Sequence, residues 1–204
     1  NSKYEFIASC DSDVILDQYW LEYNLIHFLD KNVVGICGNM IERKTTKFDK
    51  WRSIHMKQNW GKKTITNPPF LFGSNNIFRR KNLLQNLYNE KFMTNYEDVD
   101  MSNILKKKGS ILIYEARAKA IHIKQDNLIS LLDSYYNWTF YSYPKPKNLI
   151  NLILKICFFN ISKSLKLIIN DLLNLEFDMF IISLKIYFHN SYKDMNYFLN
   201  VNKN

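Results

Sequence analysis

What the chain has little of narrows it first. It has three cysteines, Cys10, Cys37 and Cys157, scattered without paired spacing. Neither a disulfide framework nor a zinc motif can be made from them, and a reduced, cytosolic setting is expected. No basic-then-apolar leader follows Asn1, so no secretion signal is expected, and a first residue other than Met reads as a piece of something longer. No apolar run reaches the ~18 residues a spanning helix needs. Lys155, Lys163, Lys166 and Asp171 interrupt the most apolar stretch. There is no Arg-rich or RNP-like motif and no internal repeat.

What is there describes a folded protein. The 204 residues are 47% hydrophobic and 23% charged, enough for one sizeable core or a core with an appendage. The net charge of +9 comes mostly from singly dispersed lysines. A solvated lysine-rich face explains it. An anionic membrane surface or a phosphate-bearing substrate remains open, while nucleic acid has only the charge in its favour.

Along the chain, strand-like and helix-like stretches alternate. Tyr4 to Ser9 reads as a strand, and Asp17 as the N-cap of a helix over Tyr19 to Leu29. Asn32 to Ile41 ("NVVGICGNMI") reads as a buried strand, and residues 42 to 67 as a long loop. Phe70 to Phe78 is strand-like around a Gly-Ser-Asn-Asn break, followed by a short helix over Lys81 to Tyr88. A helix with Met101, Ile104 and Leu105 on one face follows, closed by Gly109, then two short strands, "ILIY" and "ARAKAIHI". This alternation predicts an α/β layer fold over residues 1–124. Residues 125–204 form a helical appendage, in which Leu149, Leu152, Ile153 and Ile156 are expected to make one buried stripe.

Four features stand in order: Asp11-x-Asp13 after the first strand, Gly73-Ser-Asn-Asn76, Glu97-Asp-Val-Asp100 opening a helix, and His122 at a strand end. Each has a plain explanation alone. A D-x-D caps turns, acidic residues suit a helix N-terminus, and a single His is commonly structural. Asn75 and Asn76 could bond sugar hydroxyls or merely make a turn. Arg79 and Arg80 suit phosphate or a surface. Trp60 and Trp138 are candidate sugar-stacking platforms for an acceptor, or core aromatics.

As a set they resemble the C-terminal part of the catalytic domain of family 2 glycosyltransferases of GT-A fold. "FIASCDSDVILDQYWLE", "FLFGSNNIFRRKNL" and "NEKFMTNYEDVDMSNILKKKGSILIYEARAKAIH" carry the resemblance, over about residues 4 to 124. The family's N-terminal nucleotide-binding half has no counterpart here, and "YNEKFMTN" stands where the family carries a glycine-containing segment. The resemblance implies a truncated GT-A (Rossmann-like) mixed sheet with flanking helices. It also implies metal-dependent, inverting transfer of a sugar from a UDP-linked donor to a glycan or lipid-linked hydroxyl, in envelope polysaccharide or glycoconjugate synthesis at the membrane's cytoplasmic face. In that reading Asp13 and His122 hold a divalent Mn or Mg. Asp11 contacts the ribose or a metal-bound water, Asn75 and Asn76 belong to the donor side, Asp98 is the general base and Glu97 orients it. Asp100 caps the helix or faces away. Two other classes stay open: a non-catalytic remnant or partner-binding module, and a basic membrane-surface or nucleic-acid binder.

Overall fold

The structure, a computed structural model, describes residues 3–92, 95–143 and 145–201. It divides into two compact units: the chain up to Lys44 with Lys57–Lys124, and Thr45–Met56 with the chain from Gln125 onward.

The first unit is mixed α/β. Its sheet contains β1 (Phe6–Cys10), β2 (Val14–Leu16), β3 (Val33–Glu42), β4 (Ile65–Thr66), β5 (Asn75–Arg79) and β6 (Ile111–His122) among the described residues, in the order β1-β5-β3-β6-β2 with β4 also on β6. β3 runs parallel to β6, and the other pairings are antiparallel. β-Branched and apolar residues make β3 buried on both faces, as a central strand requires. On one face Val34, Phe78, Leu112 and Tyr114 pack with Met101 and Leu105 of α4 (Glu97–Lys107). On the other, Val33, Ile36, Ile77 and Ile113 pack with Trp20 of α1 (Trp20–Leu25). The period of two along each strand sends alternate residues to these two cores.

Local chemistry sets the ends. Asp17 accepts from the Tyr19 N–H at 3.0 Å just before α1, and a 3₁₀ turn, Ile26–Leu29, continues that helix. The helix α4 ends at Gly109, whose φ of +78° places it in the left-handed region. Its N–H bonds the Lys106 carbonyl, and the Ser110 N–H bonds the Leu105 carbonyl, a Schellman ending that turns the chain into β6.

Three expectations are corrected. The stretches "ILIY" and "ARAKAIHI" form one strand, β6. Its pairing with β3 jumps from Gly38–Glu115 to Asn39–Lys119, so Ala116 to Ala118 bulge out without ending the strand. Buried Glu115 breaks the apolar pattern yet stays within the strand, because Arg117, His27 and Thr64 all bond its carboxylate. Burial alone would raise the Glu115 carboxyl, but the Arg117 hydrogen bonds hold it down at about 2.

The long loop contains a helix, α2 (Lys47–His55). A capping box starts it, with the Asp49 N–H donating to Thr46 Oγ1 at 3.2 Å and the Thr46 N–H donating to Asp49 Oδ2 at 2.9 Å. This helix belongs to the second unit, where Trp51 is fully buried with Leu131, Tyr135, Met179 and Ile182. Of the remaining helices, α3 (Arg80–Gln85) lies in the first unit, whereas α5 (Leu128–Thr139), α6 (Leu149–Leu154), a π-helical turn (Lys155–Asn160), α7 (Ile161–Leu173) and α8 (Phe177–Val201) lie in the second.

The expected stripe does not form. Leu152 is buried at 7% exposure, but Leu149 is 61% exposed and Ile153 50%. Leu152 and half-buried Ile156, four residues apart, face the core, whereas Leu149 and Ile153 are exposed already ahead of the π turn. Beyond it, the buried positions are Asn160, Ser164, Ile168 and Asp171, while Leu165, Ile169, Leu172 and Leu173 face out. A polar network holds this inverted face inward. Asp171 accepts from Ser183 Oγ at 2.5 Å and lies 2.6 Å from His55 Nε2, and Ser183 Oγ accepts from Trp51 Nε1 at 2.9 Å. Among the described residues no helix is long and apolar enough to cross a membrane.

Candidate active site

The sheet places the acidic motifs from its strand ends. β1 delivers Asp11 beyond Cys10, and the Asp11 N–H bonds the Ser74 carbonyl at 3.1 Å. The chain then turns, with the Val14 N–H on the Asp11 carbonyl, and β2 pairs Val14 with His122. The Ile123 N–H bonds the Asp13 carbonyl at 2.8 Å, so backbone pairing fixes Asp13 beside the His122 end of β6. His122 Nε2 lies 3.4 Å from Asp13 Oδ2, which brings together two residues over a hundred positions apart.

Glu42 is the member of this group that the sequence reading missed. It ends β3 opposite His122, and its two carboxylate oxygens lie 2.9 and 3.0 Å from His122 Nδ1. A carboxylate there accepts from Nδ1–H and fixes the ring so that Nε2 is the nitrogen facing Asp13. The available signal was position: Glu42 closes a largely apolar strand, as Asp11 closes off β1. Burial raises the Asp11 carboxyl, and the neighbouring Asp13 charge adds to the rise while His122 opposes it.

At the other acidic motif, α4 begins with Glu97 and Asp98. Tyr96, immediately before them, has a φ of +88°, a left-handed conformation strained for a tyrosine. Asp98 Oδ2 accepts from the Gly73 N–H at 3.2 Å and Oδ1 from the Val99 N–H at 2.7 Å. Burial pushes the Asp98 carboxyl up to about 6. Those two N–H groups pull it back only in part, and Glu97 adds to the rise. Glu97 Oε2 is buried with no hydrogen-bond partner among the described residues.

One turn joins the two motifs. Gly73 holds Asp98 through its N–H and Ser74 holds Asp11 through its carbonyl, while Ser74 Oγ donates to Gln58 Oε1 at 2.6 Å. Asp98 and Asp11 are thus tied to consecutive residues.

Other candidates have internal tasks. Asn75 is fully buried, and its Oδ1 accepts from the Gly38 N–H at 2.7 Å and from Trp20 Nε1 at 3.4 Å. Asn76 Nδ2 donates to the Phe72 and Gly73 carbonyls, each at 3.1 Å, which makes it a turn-former. Neither carboxamide oxygen nor amide is displayed to solvent as a sugar-binding group would be. Arg79 bonds the Val33 and Phe28 carbonyls and Glu5, and stacks on Phe6 and Phe28, so it staples the strand ends. Trp60 donates Nε1–H to the Phe70 carbonyl at 2.9 Å and packs edge-on to Phe70 and against Phe72, a core support rather than an open platform. Trp138 sits on α5 in the helical unit, packed against that unit's core.

Asp13 Oδ2 and His122 Nε2 offer one hard oxygen and one imidazole nitrogen. Among the described residues, no group of three or more His, Cys, Asp or Glu side chains is placed to hold a metal by itself. These two donors alone do not make a cation site, and a divalent ion held by them would need further ligands from outside the described residues. No protein-family model matches the chain, and no curated protein matches it.

Proposed function

We propose that residues 4 to 124 are the C-terminal part of a GT-A-type catalytic domain of the family 2 glycosyltransferase class, working on a UDP-linked sugar and a glycan or lipid-linked hydroxyl. The observation that carries this reading is the Gly73-Ser74 turn, which ties a carboxyl raised to about 6 to the strand-end Asp11-x-Asp13 pair and its His122 neighbour.

In this reading Asp98 accepts the proton of the acceptor hydroxyl as its oxygen bonds the anomeric carbon. The bond to the diphosphate breaks on the opposite face, and its electron pair leaves with the nucleotide, so the configuration inverts. A carboxyl near 6 suits the task, since it is mostly deprotonated at neutral pH yet basic enough to take a proton in the transition state. Asp13 and His122 would hold a divalent Mn or Mg, which supplies Lewis-acid neutralisation of the leaving diphosphate. Glu42 fixes the His122 ring, and Asp11 would contact the ribose or a metal-bound water. Glu97, with its unpartnered oxygen, orients the acceptor or Asp98.

The reading is tested in the enzyme that carries this chain, by Mn-dependent binding of a UDP-sugar and release of UDP on adding acceptor. Absence of both would return the chain to a non-catalytic remnant. Within it, Glu42→Gln is expected to weaken Mn binding about 10–100-fold, because a neutral carboxamide can still accept from Nδ1–H but no longer supplies the charge that makes the imidazole a stronger ligand. Titration of Mn in the presence of UDP, by calorimetry and by activity, reads this directly. Equal affinities in the two proteins would remove Glu42 from the site.

The outward apolar residues of α6 and α7 support peripheral attachment to a membrane, with Lys147, Lys166 and Lys185 exposed on the same unit. The chain is expected to float with anionic liposomes at low salt, and Leu165→Glu with Ile169→Glu to stay in the soluble fraction. Flotation unchanged by both substitutions would place the contact elsewhere.

A further inference from the structure

The last helix, α8, is apolar on two faces, and the chain covers one of them. Met179, Ile182 and Ile186 pack into the core of the second unit, and Ser183 and Asp194 are hydrogen-bonded towards its interior. On the far side Ile181, Leu184, Phe188, Tyr192 and Met195 are exposed, and Phe177 and Leu199 extend the row by one step at each end. At the ~100° per residue of an α-helix, these seven fall within roughly 80° of its circumference. That is the width of a helix–helix seam rather than of a broad core face. A surface helix ordinarily carries charged residues there, and none of the seven is charged.

The spacing of the row points to what covers it. From Phe177 the steps are 4, 3, 4, 4, 3 and 4, which read the same from either end, with Phe188 at the centre. A twofold axis through Phe188, perpendicular to α8, therefore lays the row antiparallel on a second copy of itself. Phe188 then meets Phe188, Leu184 of one copy meets Tyr192 of the other, Ile181 meets Met195 and Phe177 meets Leu199. Such self-matching is what an isologous interface requires. A lipid surface or an unrelated protein has no use for it. The row is also one 11-residue spacing taken twice, from Phe177 to Phe188 to Leu199. At ~3.67 residues per turn that spacing nearly matches the helix itself, so the seam stays on one side over a length of ~33 Å.

We propose that α8 pairs with α8 of a second copy of this chain, antiparallel about Phe188. Charge permits the pairing. Lys185 and Asp178, both exposed, flank the row without standing in it. Lys185 comes level with Ser191 of the other copy, and the two Lys185 lie about six residues of rise apart, ~9 Å along the axis, so no like charges are opposed. The area is of the right order. Phe177, Phe188 and Tyr192 are 64, 62 and 57% exposed. At ~150–250 Å² per aromatic side chain they alone leave roughly 350 Å² per copy. The other four side chains bring the row towards the ~800 Å² per partner of a standard interface. The helix contributes nothing to the proposed catalytic centre, so the pairing stands or falls apart from the glycosyl-transfer reading.

Sedimentation velocity of the whole protein over a concentration series is expected to show a monomer–dimer equilibrium with a Kd of about 10 μM or tighter. Phe188→Glu sets two carboxylates against each other on the axis and is expected to weaken the dimer about 30-fold or more. Its far-ultraviolet circular dichroism should match the wild type, because the side chain faces out. Thiol cross-linking reads the register with milder substitutions, in a background where the exposed Cys10 and Cys157 are replaced by serine. Phe188→Cys is expected to link to itself. Ile181→Cys is expected to link to Met195→Cys when the two variants are mixed, and not to itself. Linking of Ile181→Cys to itself would mean a parallel pair and overturn the proposal, as would a dimer untouched by Phe188→Glu. A monomer at every concentration overturns it too, and if flotation with anionic liposomes is then lost in Phe188→Glu, the row belongs to a membrane.

Discussion

Asp98→Asn is expected to lower turnover by about 10²–10⁴-fold while the affinity for the sugar nucleotide stays nearly unchanged. The substitution keeps the shape but removes the ability to take a proton. It also exchanges one of the carboxylate's two accepted bonds, from the Gly73 or the Val99 N–H, for a contact between two donors. That costs stability on the order of 1–3 kcal/mol, so a thermal melt must accompany the kinetics. The pH profile separates a base from a merely structural residue. With the Asp98 carboxyl at about 6, wild-type turnover falls as the pH drops through that value, because the protonated form cannot accept. The variant should lose this limb. A variant that instead lost donor binding and kept its chemical step would move Asp98 to the donor site.

Gly38→Ala is expected to be the most damaging small substitution in the sheet. A Cβ there would lie 2.3 Å from the Ala118 carbonyl oxygen, 2.5 Å from Asn75 Oδ1 and 2.7 Å from Trp20 Nε1. The first of these is backbone in the β6 bulge, and Asn75 is fully buried, so none of the three can swing clear. Overpacking costs ~1–3 kcal/mol. Displacing the Asn75 oxygen from the Gly38 N–H adds a similar ~1–3 kcal/mol for a buried group left unsatisfied. Together these approach the ~5–15 kcal/mol that holds a domain folded. Gly73 supplies the control, since a Cβ there meets nothing closer than 3.7 Å. Urea unfolding of Gly38→Ala beside Gly73→Ala tests the contrast, and equal midpoints would show that the close approach of β3 to the bulge is not tight.

The sequence shows the layer alternation and the order of the motifs, because strands with both faces buried announce themselves as apolar runs. The run at Val33 to Ile41 and the Schellman glycine at Gly109 are of this kind. Asp13 and His122 could be paired from strand ends alone, since β2 and β6 bring them side by side. Elsewhere polar partners acted against the pattern. Glu115 split β6 into two apparent strands, although its carboxylate is met from three directions inside the sheet. In α2 Trp51 is the one apolar residue that is fully buried, so periodicity was weak and only the Thr46-x-x-Asp49 cap signalled a helix. The reversed face of α7 could not be read from spacing, because its apolar positions face out while polar partners hold Asn160, Ser164 and Asp171 inward. Asn75 and Asn76 had the right chemistry for a sugar, and only the packing shows that both are buried, with backbone groups taking the Asn75 oxygen and the Asn76 amide.

Tyr96 carries a consequence for how such a chain can evolve. Its left-handed backbone, at φ +88°, precedes the two carboxylates by a single step and sets the direction in which α4 starts. A non-glycine residue held there costs on the order of 1–3 kcal/mol. Glycine at this position would relax that penalty and let the first turn of the helix sample other entries. Thermal robustness and a fixed proton acceptor therefore pull in opposite directions at one codon. On the glycosyl-transfer reading, Tyr96→Gly would gain stability and loosen the setting of Asp98, so endurance and readiness pull against each other at this one position.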